Sequence, residues 1–309
     1  MKRMQMKNGK DDIAMRHIPI GTCVPGNVFK EWAPKLKEIG YESFAINHHM
    51  RITEEIINGL PDVAKMSREE IGAPISILGY YCNALQYEEH KALLEKCIDI
   101  APKMGIKLVG TFAGALEGES VDAAMPKFKE VFSELTKRAE DNGVKICIEN
   151  CPMGGTWKKT TCNIGFNARA WDMMFDAVPS GSLGLEWEPA HQMAQLVEPV
   201  ANLRRYIKKV YHMHGKDAII KHDLIAAEGV ISGEDFADMR FPGFGETDWR
   251  QIFAILLRND YDADITIEGY HDPFYSRDWE MTGQKHALEY LQWCQGGQFV
   301  DIKLERPGK

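Results

Sequence analysis

No apolar run in this 309-residue sequence reaches the roughly 20 residues that a membrane-spanning helix needs. Its first residues, MKRMQMKNGKDD, are charged and lead into no apolar stretch, so neither a secretory leader nor a membrane anchor is expected. Basic charge is in short supply: 37 Lys and Arg stand against 45 Asp and Glu, for a net charge of −8. That argues against a nucleic-acid partner, whose phosphates call for a basic face. The seven cysteines are odd in number, scattered, and without a CxxC pair. They fit neither a disulfide framework nor a zinc ribbon, and read as reduced core cysteines of a cytoplasmic protein. Low-complexity linkers and short solenoid-type repeats are also missing, as is the glycine fingerprint of a dinucleotide-binding fold after the first strand.

What is present is a regular alternation. Eight short apolar runs read as strands: His17–Cys23, Glu42–Asn47, Pro74–Tyr81, Ile106–Gly114, Val144–Asn150, Leu183–Glu188, Val210–Lys216 and Ala263–Gly269. A segment of helical period follows each. In FKEWAPKLKEIG, Phe29, Trp32, Leu36 and Ile39 form one stripe and Gly40 is placed to end the helix. Asp248 precedes another helical segment as a good N-cap. Eight such units in a chain of this length predict a single-domain (β/α)8 TIM barrel over residues 1–309, with 1–15 as an N-terminal extension.

In such a barrel the functional groups sit at the C-terminal ends of the strands. Strand five ends in Glu149 and Asn150. Strand six ends in Glu186 and Glu188, with His191 just beyond. Strand seven carries His212, His214, Lys216 and Asp217. Strand eight ends in Glu268, followed by His271 and Asp272. Singly, each has an ordinary structural use: a cap, an ion pair, a core histidine bonded to backbone. Four successive strands aiming carboxylates and imidazoles at one mouth call for a compensating charge. A divalent cation supplies it. The oxygen-rich donor set suits Mn²⁺, with Mg²⁺, Co²⁺ and Zn²⁺ as alternatives.

These residues fall in motifs that resemble the sugar phosphate isomerase/epimerase family of xylose isomerase-like TIM barrels, also known as AP endonuclease family 2. The motifs are ICIENCP, LGLEWEPAH, HMHGKDA, FPGFGETDWRQIF and ITIEGYHDP. The resemblance runs from about Gly79 to the end; the first 70 residues carry little of it. It implies Glu149, Glu188, His214 and Glu268 as ligands of one divalent metal, with Glu149 and Glu268 doubling as acid and base. It also implies His191 as a substrate contact. Glu188 stands where the family usually has aspartate, so Glu186 remains a competing choice, and His271 stands where many relatives carry glutamate. Glu186, Lys216, Asp217 and His271 join His191 as candidate substrate-binding residues. His212 lies deeper on the same strand face, either behind the metal ligand or packed in the core.

The implied chemistry is proton removal beside a metal-polarised carbonyl. It leads to isomerisation or epimerisation of a small sugar, and the lack of a glycine-rich phosphate loop favours a non-phosphorylated one. Elimination from a 3-oxo-glycoside, as in C-glycoside deglycosidase catalytic subunits, is the alternative. A DNA-repair endonuclease would need more histidines at the mouth and a basic surface. Tyr80, Tyr81, Phe112, Trp157, Trp187 and Tyr270 are candidate ring-stacking residues. Assembly is expected as a homo-oligomer, with a small second subunit as a further partner of the glycoside branch. Residues 218–247 are too long for an ordinary βα loop. They are expected to form a lid or subunit contact, with His222, Asp223 and Arg240 reaching the substrate.

Overall fold

A computed structural model describes residues 17–297; the extension assigned to residues 1–15 lies outside them. Eight of its strands close into a barrel: β1 (Ile20–Pro25), β2 (Phe44–His49), β3 (Ile75–Tyr81), β4 (Leu108–Thr111), β5 (Lys145–Glu149), β6 (Leu183–Trp187), β7 (Val210–Gly215) and, last in the chain, β10 (Ile265–Ile267). Each pairs in parallel with its neighbours, and β1 pairs with both β2 and β10, so no edge is left open. Six of the eight strands begin one to three residues later than the apolar runs suggest, and β6 and β7 begin where their runs do.

The connecting helices are α1 (Phe29–Ile39), α2 (Glu54–Met66), α3 (Glu88–Met104), α4 (Val121–Asp141), α5 (Ala168–Ala177), α6 (Pro189–Met193), α7 (Pro199–Tyr206), α8 (His222–Glu228), α9 (Trp249–Arg258) and α10 (Glu280–Cys294). The local signals work as expected. Gly40 ends α1 at φ 118°, and Asp248 caps α9 by accepting from the Gln251 amide. Outward strand residues such as Phe44, Ile46 and Val24 pack with the helices into one large core. The opposite strand faces meet inside the barrel, where Cys23, Ala45, Ile77 and Cys147 form a separate, small cluster. All seven cysteines are free and buried. Among the described residues, no helix is long and apolar enough to cross a membrane.

The segment 218–247 is structured rather than a plain loop. Strands β8 (Asp217–Ile220) and β9 (Ala237–Arg240) form an antiparallel ribbon that brackets α8. Ala218, Ile220, Phe236, Ala237 and Met239 pack on Ala190 and Met193 of α6. His222 and Asp223 are exposed on α8, and Arg240 pairs with Asp272 at 3.1 Å. None of these three lines the barrel mouth. The ribbon residues packed on α6 buttress that helix, while Val230 and Ile231 between the two strands stay exposed.

Candidate metal centre

Strand period and strand ends bring the acidic and imidazole groups together. Glu149 is the last residue of β5, and its neighbour Asn150 ties β5 to β6. The Asn150 side chain accepts from the Glu188 amide at 2.7 Å and donates to the Glu188 carbonyl at 3.0 Å. Glu188 has extended backbone, and Pro189 then opens α6, which places His191 in its first turn. His212 and His214 alternate onto the inward face of β7. Glu268 follows β10, held by its amide to the Gly215 carbonyl at 3.1 Å. One donor atom from each of Glu149, Glu188, His214 and Glu268 lies within 4.8 Å of the others, and all four residues are buried.

The geometry leaves this cluster unsatisfied. His214 Nδ1 stands 3.3 Å from Glu149 Oε1, 3.2 Å from Glu268 Oε2 and 3.6 Å from Glu188 Oε2. Yet His214 Nδ1, Glu268 Oε2 and both Glu188 oxygens lack a hydrogen bond of good geometry. Orphaned buried atoms of this kind are rare in proteins and ask for a partner. Lys216, buried, donates to Glu268 Oε1 at 3.1 Å. Three carboxylates and one ammonium leave two negative charges, which a divalent cation would balance. The donor set therefore fits such an ion, held by Glu149, Glu188, His214 and Glu268.

The protonation equilibria carry the same strain. Burial pushes the Glu149 carboxyl up to about 7 against the pull of His214. Burial also works against ionisation of Glu186, Glu188 and Glu268. The imidazoles overcome it at Glu186, held at about 2 by His214 and His212; His191 and Lys216 do so at Glu188, and Lys216 at Glu268. Burial disfavours charge on His191 too, but Glu188, 2.9 Å away, raises it to about 10. His214 is raised well above its ordinary value, chiefly by Glu186 after the opposing effect of burial. In the bare protein, protons on imidazoles thus hold the charge that a cation would otherwise bring.

The cluster opens into a cavity of about 1000 Å³. Glu149, His191, His214, Lys216, Glu268 and His271 line it. His271 is at the rim, in the left-handed region at φ 75°, a conformation that non-glycine residues seldom adopt. Three candidate residues do not line the cavity: Glu188, fully buried within the cluster, Glu186 and Asp217. Glu186 lies beneath the cluster, wholly buried, against both histidines. Asp217 is also wholly buried, and its carboxylate is taken up by the Thr247 amide and hydroxyl, the Ala218 amide and the Trp249 indole. It anchors the ribbon base to α9. Of the aromatic candidates, Tyr81, Phe112 and Tyr270 line the cavity. Trp157 and Trp187 instead bond Asp122 and Asn202, and Tyr80 packs in the core.

The opposite wall comes from β1, β2, the residues that follow them and α2, and was not read from the sequence. It includes Pro25, Gly26, Asn47, His48, His49, Arg51 and Ile56. The one sequence signal there is the pair His48–His49 at the end of β2, followed by Arg51, at the barrel end where function is looked for.

Fold and site together define a single-domain (β/α)8 barrel with a buried Glu/His cluster at its C-terminal mouth, able to bind a divalent metal. The profile of the xylose isomerase-like TIM barrel family matches residues 33–294, and the chain belongs to that family. An inosose dehydratase from Histophilus somni (strain 129Pt) is 27% identical over 213 residues, 62% of this chain and 67% of that one. The E. coli 3-keto-D-glucoside 4-epimerase YcjR, in its apo form, has a TM-score of 0.67 at 16% identity, over 90% of this chain and 100% of that one. A D-psicose 3-epimerase crystallised in the presence of D-fructose gives 0.65 at 15%, over 91% and 100%. At these identities the structural likeness speaks for the fold.

Proposed function

We propose that the protein is a metal-dependent sugar isomerase or epimerase that moves a proton beside a carbonyl, acting on a non-phosphorylated sugar. The observation that carries this reading is the buried quartet Glu149, Glu188, His214 and Glu268, with unsatisfied donor atoms, three of whose members line a large cavity. These four would hold one divalent cation, Mn²⁺ by preference, and the ion would supply Lewis-acid polarisation of a substrate carbonyl. Glu149 and Glu268, on different strands and both facing the cavity, then serve as the base that removes the neighbouring proton and the acid that returns it. Return to the adjacent carbon isomerises; return to the opposite face of the same carbon epimerises. Lys216, His191 and His271 bond substrate oxygens from the cavity wall. The names of the relatives support a polyhydroxylated ketone as substrate: an inosose, a 3-keto-glucoside, psicose. Free buried cysteines accord with a reducing, cytoplasmic setting.

The cavity also favours a second reading. Its volume is at the upper end of the roughly 300–1,000 Å³ that holds drug-sized ligands, more room than one hexose fills. A 3-oxo-glycoside would fit, and the same proton removal would expel its β-substituent, as a dehydratase relative also expels a β-group. The test is to load the purified protein with Mn²⁺ and incubate it in D₂O with free ketoses, sugar phosphates and 3-oxo-glycosides. Deuterium entering the carbon beside the carbonyl, lost with chelation, supports the reading. Release of the aglycone selects the second branch. No bound cation and no exchange with any of them overturns both.

A further inference from the structure

Glu186 is a fully buried carboxylate that the mouth chemistry leaves without a task. We propose that it is a positioning residue: it holds the His214 ring from behind so that Nδ1 faces the three mouth carboxylates. This inference rests on the cation reading above.

The contacts run in one direction. Glu186 Oε1 lies 3.1 Å from His214 Nε2 and 2.8 Å from His212 Nδ1. Its other oxygen accepts from the Tyr81 hydroxyl at 2.9 Å. Both oxygens are thus occupied on the far side of the ring from Glu149, Glu188 and Glu268. With Nε2 turned to the Glu186 carboxylate at 3.1 Å and the Tyr81 hydroxyl at 3.4 Å, Nδ1 is the ring nitrogen left facing the mouth for a metal. A carboxylate behind a ligating imidazole is a general way to set its tautomer and orientation. The same contacts favour Glu188 over Glu186 as the ligand: Glu186 is hydrogen-bonded to His212 and Tyr81, whereas Glu188, with only the His191 ring beside it at 2.9 Å, stands in the quartet.

The seat for Glu186 is built in. A Cβ at Gly110 of β4 would stand 2.9 Å from Glu186 Oε2, so glycine leaves the space that the carboxylate fills. The arrangement also continues away from the mouth. His212 Nε2 lies 3.4 Å from Asp264 Oδ1, and the Ser43 hydroxyl donates to the other Asp264 oxygen. Barrel interiors are usually filled by bulky branched side chains. Here a column of buried polar groups, Ser43–Asp264–His212–Glu186–His214, runs up the interior; Ser43–Asp264 and His212–Glu186 are hydrogen bonds, and Asp264–His212 and Glu186–His214 are charged approaches of 3.4 and 3.1 Å. A structural ion pair would need one link; a column ending on the candidate ligand fixes the angle of that ring from the opposite end of the barrel.

The experiment measures the Mn²⁺ dissociation constant by titration calorimetry, and the thermal midpoint without metal, for the parent, Glu186→Gln, Asp264→Asn and Glu188→Gln. Glu186→Gln keeps the volume but loses the charge, and should weaken Mn²⁺ binding roughly 10- to 100-fold. Asp264→Asn changes a group three links from the imidazole and should weaken it by a smaller factor, still several-fold. Because it leaves Glu186 in place, it reports on the column even if Glu186→Gln fails to fold. Glu188→Gln, which removes a ligand, should weaken binding most. Parent-like affinity in both column variants overturns the inference. So does retained binding in Glu188→Gln with complete loss in Glu186→Gln, which would make Glu186 a ligand. A parent that binds no divalent cation refutes the reading beneath it.

Discussion

Exchanging Glu268 for glutamine separates the structural and metal-binding duties of this residue. Glu268 is 8% exposed. One oxygen accepts from buried Lys216 at 3.1 Å, and the other, unpartnered, faces His214 Nδ1 at 3.2 Å. Without metal, the substitution weakens a hydrogen bond between charged groups, a loss of about 1.5–3 kcal/mol. At about 2–4 °C per kcal/mol for a domain of this general size, the midpoint falls by roughly 3–12 °C. With metal the second duty shows. At a Mn²⁺ concentration 100 times its dissociation constant, the parent gains about 2.7 kcal/mol, a rise of roughly 5–11 °C. Removing one partner of a buried charge cluster costs about 3–5 kcal/mol, at least a hundredfold in affinity. At the same Mn²⁺ concentration the variant then gains at most about 0.4 kcal/mol, a rise of roughly 1 °C. Melting curves of both proteins, with excess EDTA and then with Mn²⁺, should therefore diverge on metal addition. Equal Mn²⁺-induced rises would refute the assignment of Glu268, whatever the activity.

Three further outcomes are expected. His191→Ala should lower turnover by tenfold or more while shifting Mn²⁺ affinity by a few-fold at most, because His191 lines the cavity beside Glu188 without joining the quartet; calorimetry alongside initial rates decides this. Asp217→Ala should lower the midpoint by several degrees, since about 1–3 kcal/mol attaches to each buried donor left unpaired, yet leave Mn²⁺ affinity unchanged. The Asp272 carboxyl is buried, which alone would raise its pKa, but the Tyr275, Phe241 and Phe274 amides and Arg240 hold it below the ordinary 3.8. Its stabilising contribution is thus present above about pH 4 and lost as the pH falls through the lower, folded-state value. In urea melts the stability gap between parent and Asp272→Asn should be full at pH 7 and shrink below pH 4.

Much of the candidate centre was legible because a barrel converts a one-dimensional position into a three-dimensional one. Glu149, Glu188, His214 and Glu268 each stand at the end of an apolar run, and a parallel closed sheet brings all strand ends to one mouth. The same logic failed at Asp217. It stands one residue past Lys216, at a strand end like the others, but a ribbon turns there and claims its carboxylate through Thr247 and Trp249, 30 and 32 positions away. The cavity wall of Asn47, His48, His49 and Arg51 was illegible for a different cause. Side chains there gain meaning only from what faces them across the barrel, 100 residues or more along the chain.

By itself, the sequence determined the eight barrel strands as apolar runs, the capped helices between them and hence the barrel, since propensity, pattern and caps act over a few neighbouring residues; the β8–β9 ribbon lay beyond its reach. It also determined that four acidic or imidazole groups would share the C-terminal mouth. Only the tertiary structure separated the surroundings of Glu186 and Glu188. Both point inward from β6, so their spacing is uninformative, and depth along the barrel axis separates them. The lower one meets two imidazoles, a tyrosine hydroxyl and the space left by Gly110; the upper one meets His191 and the three other members of the quartet. The energy of a buried charge is set by the groups that surround it, and those groups come from distant strands that folding alone brings together.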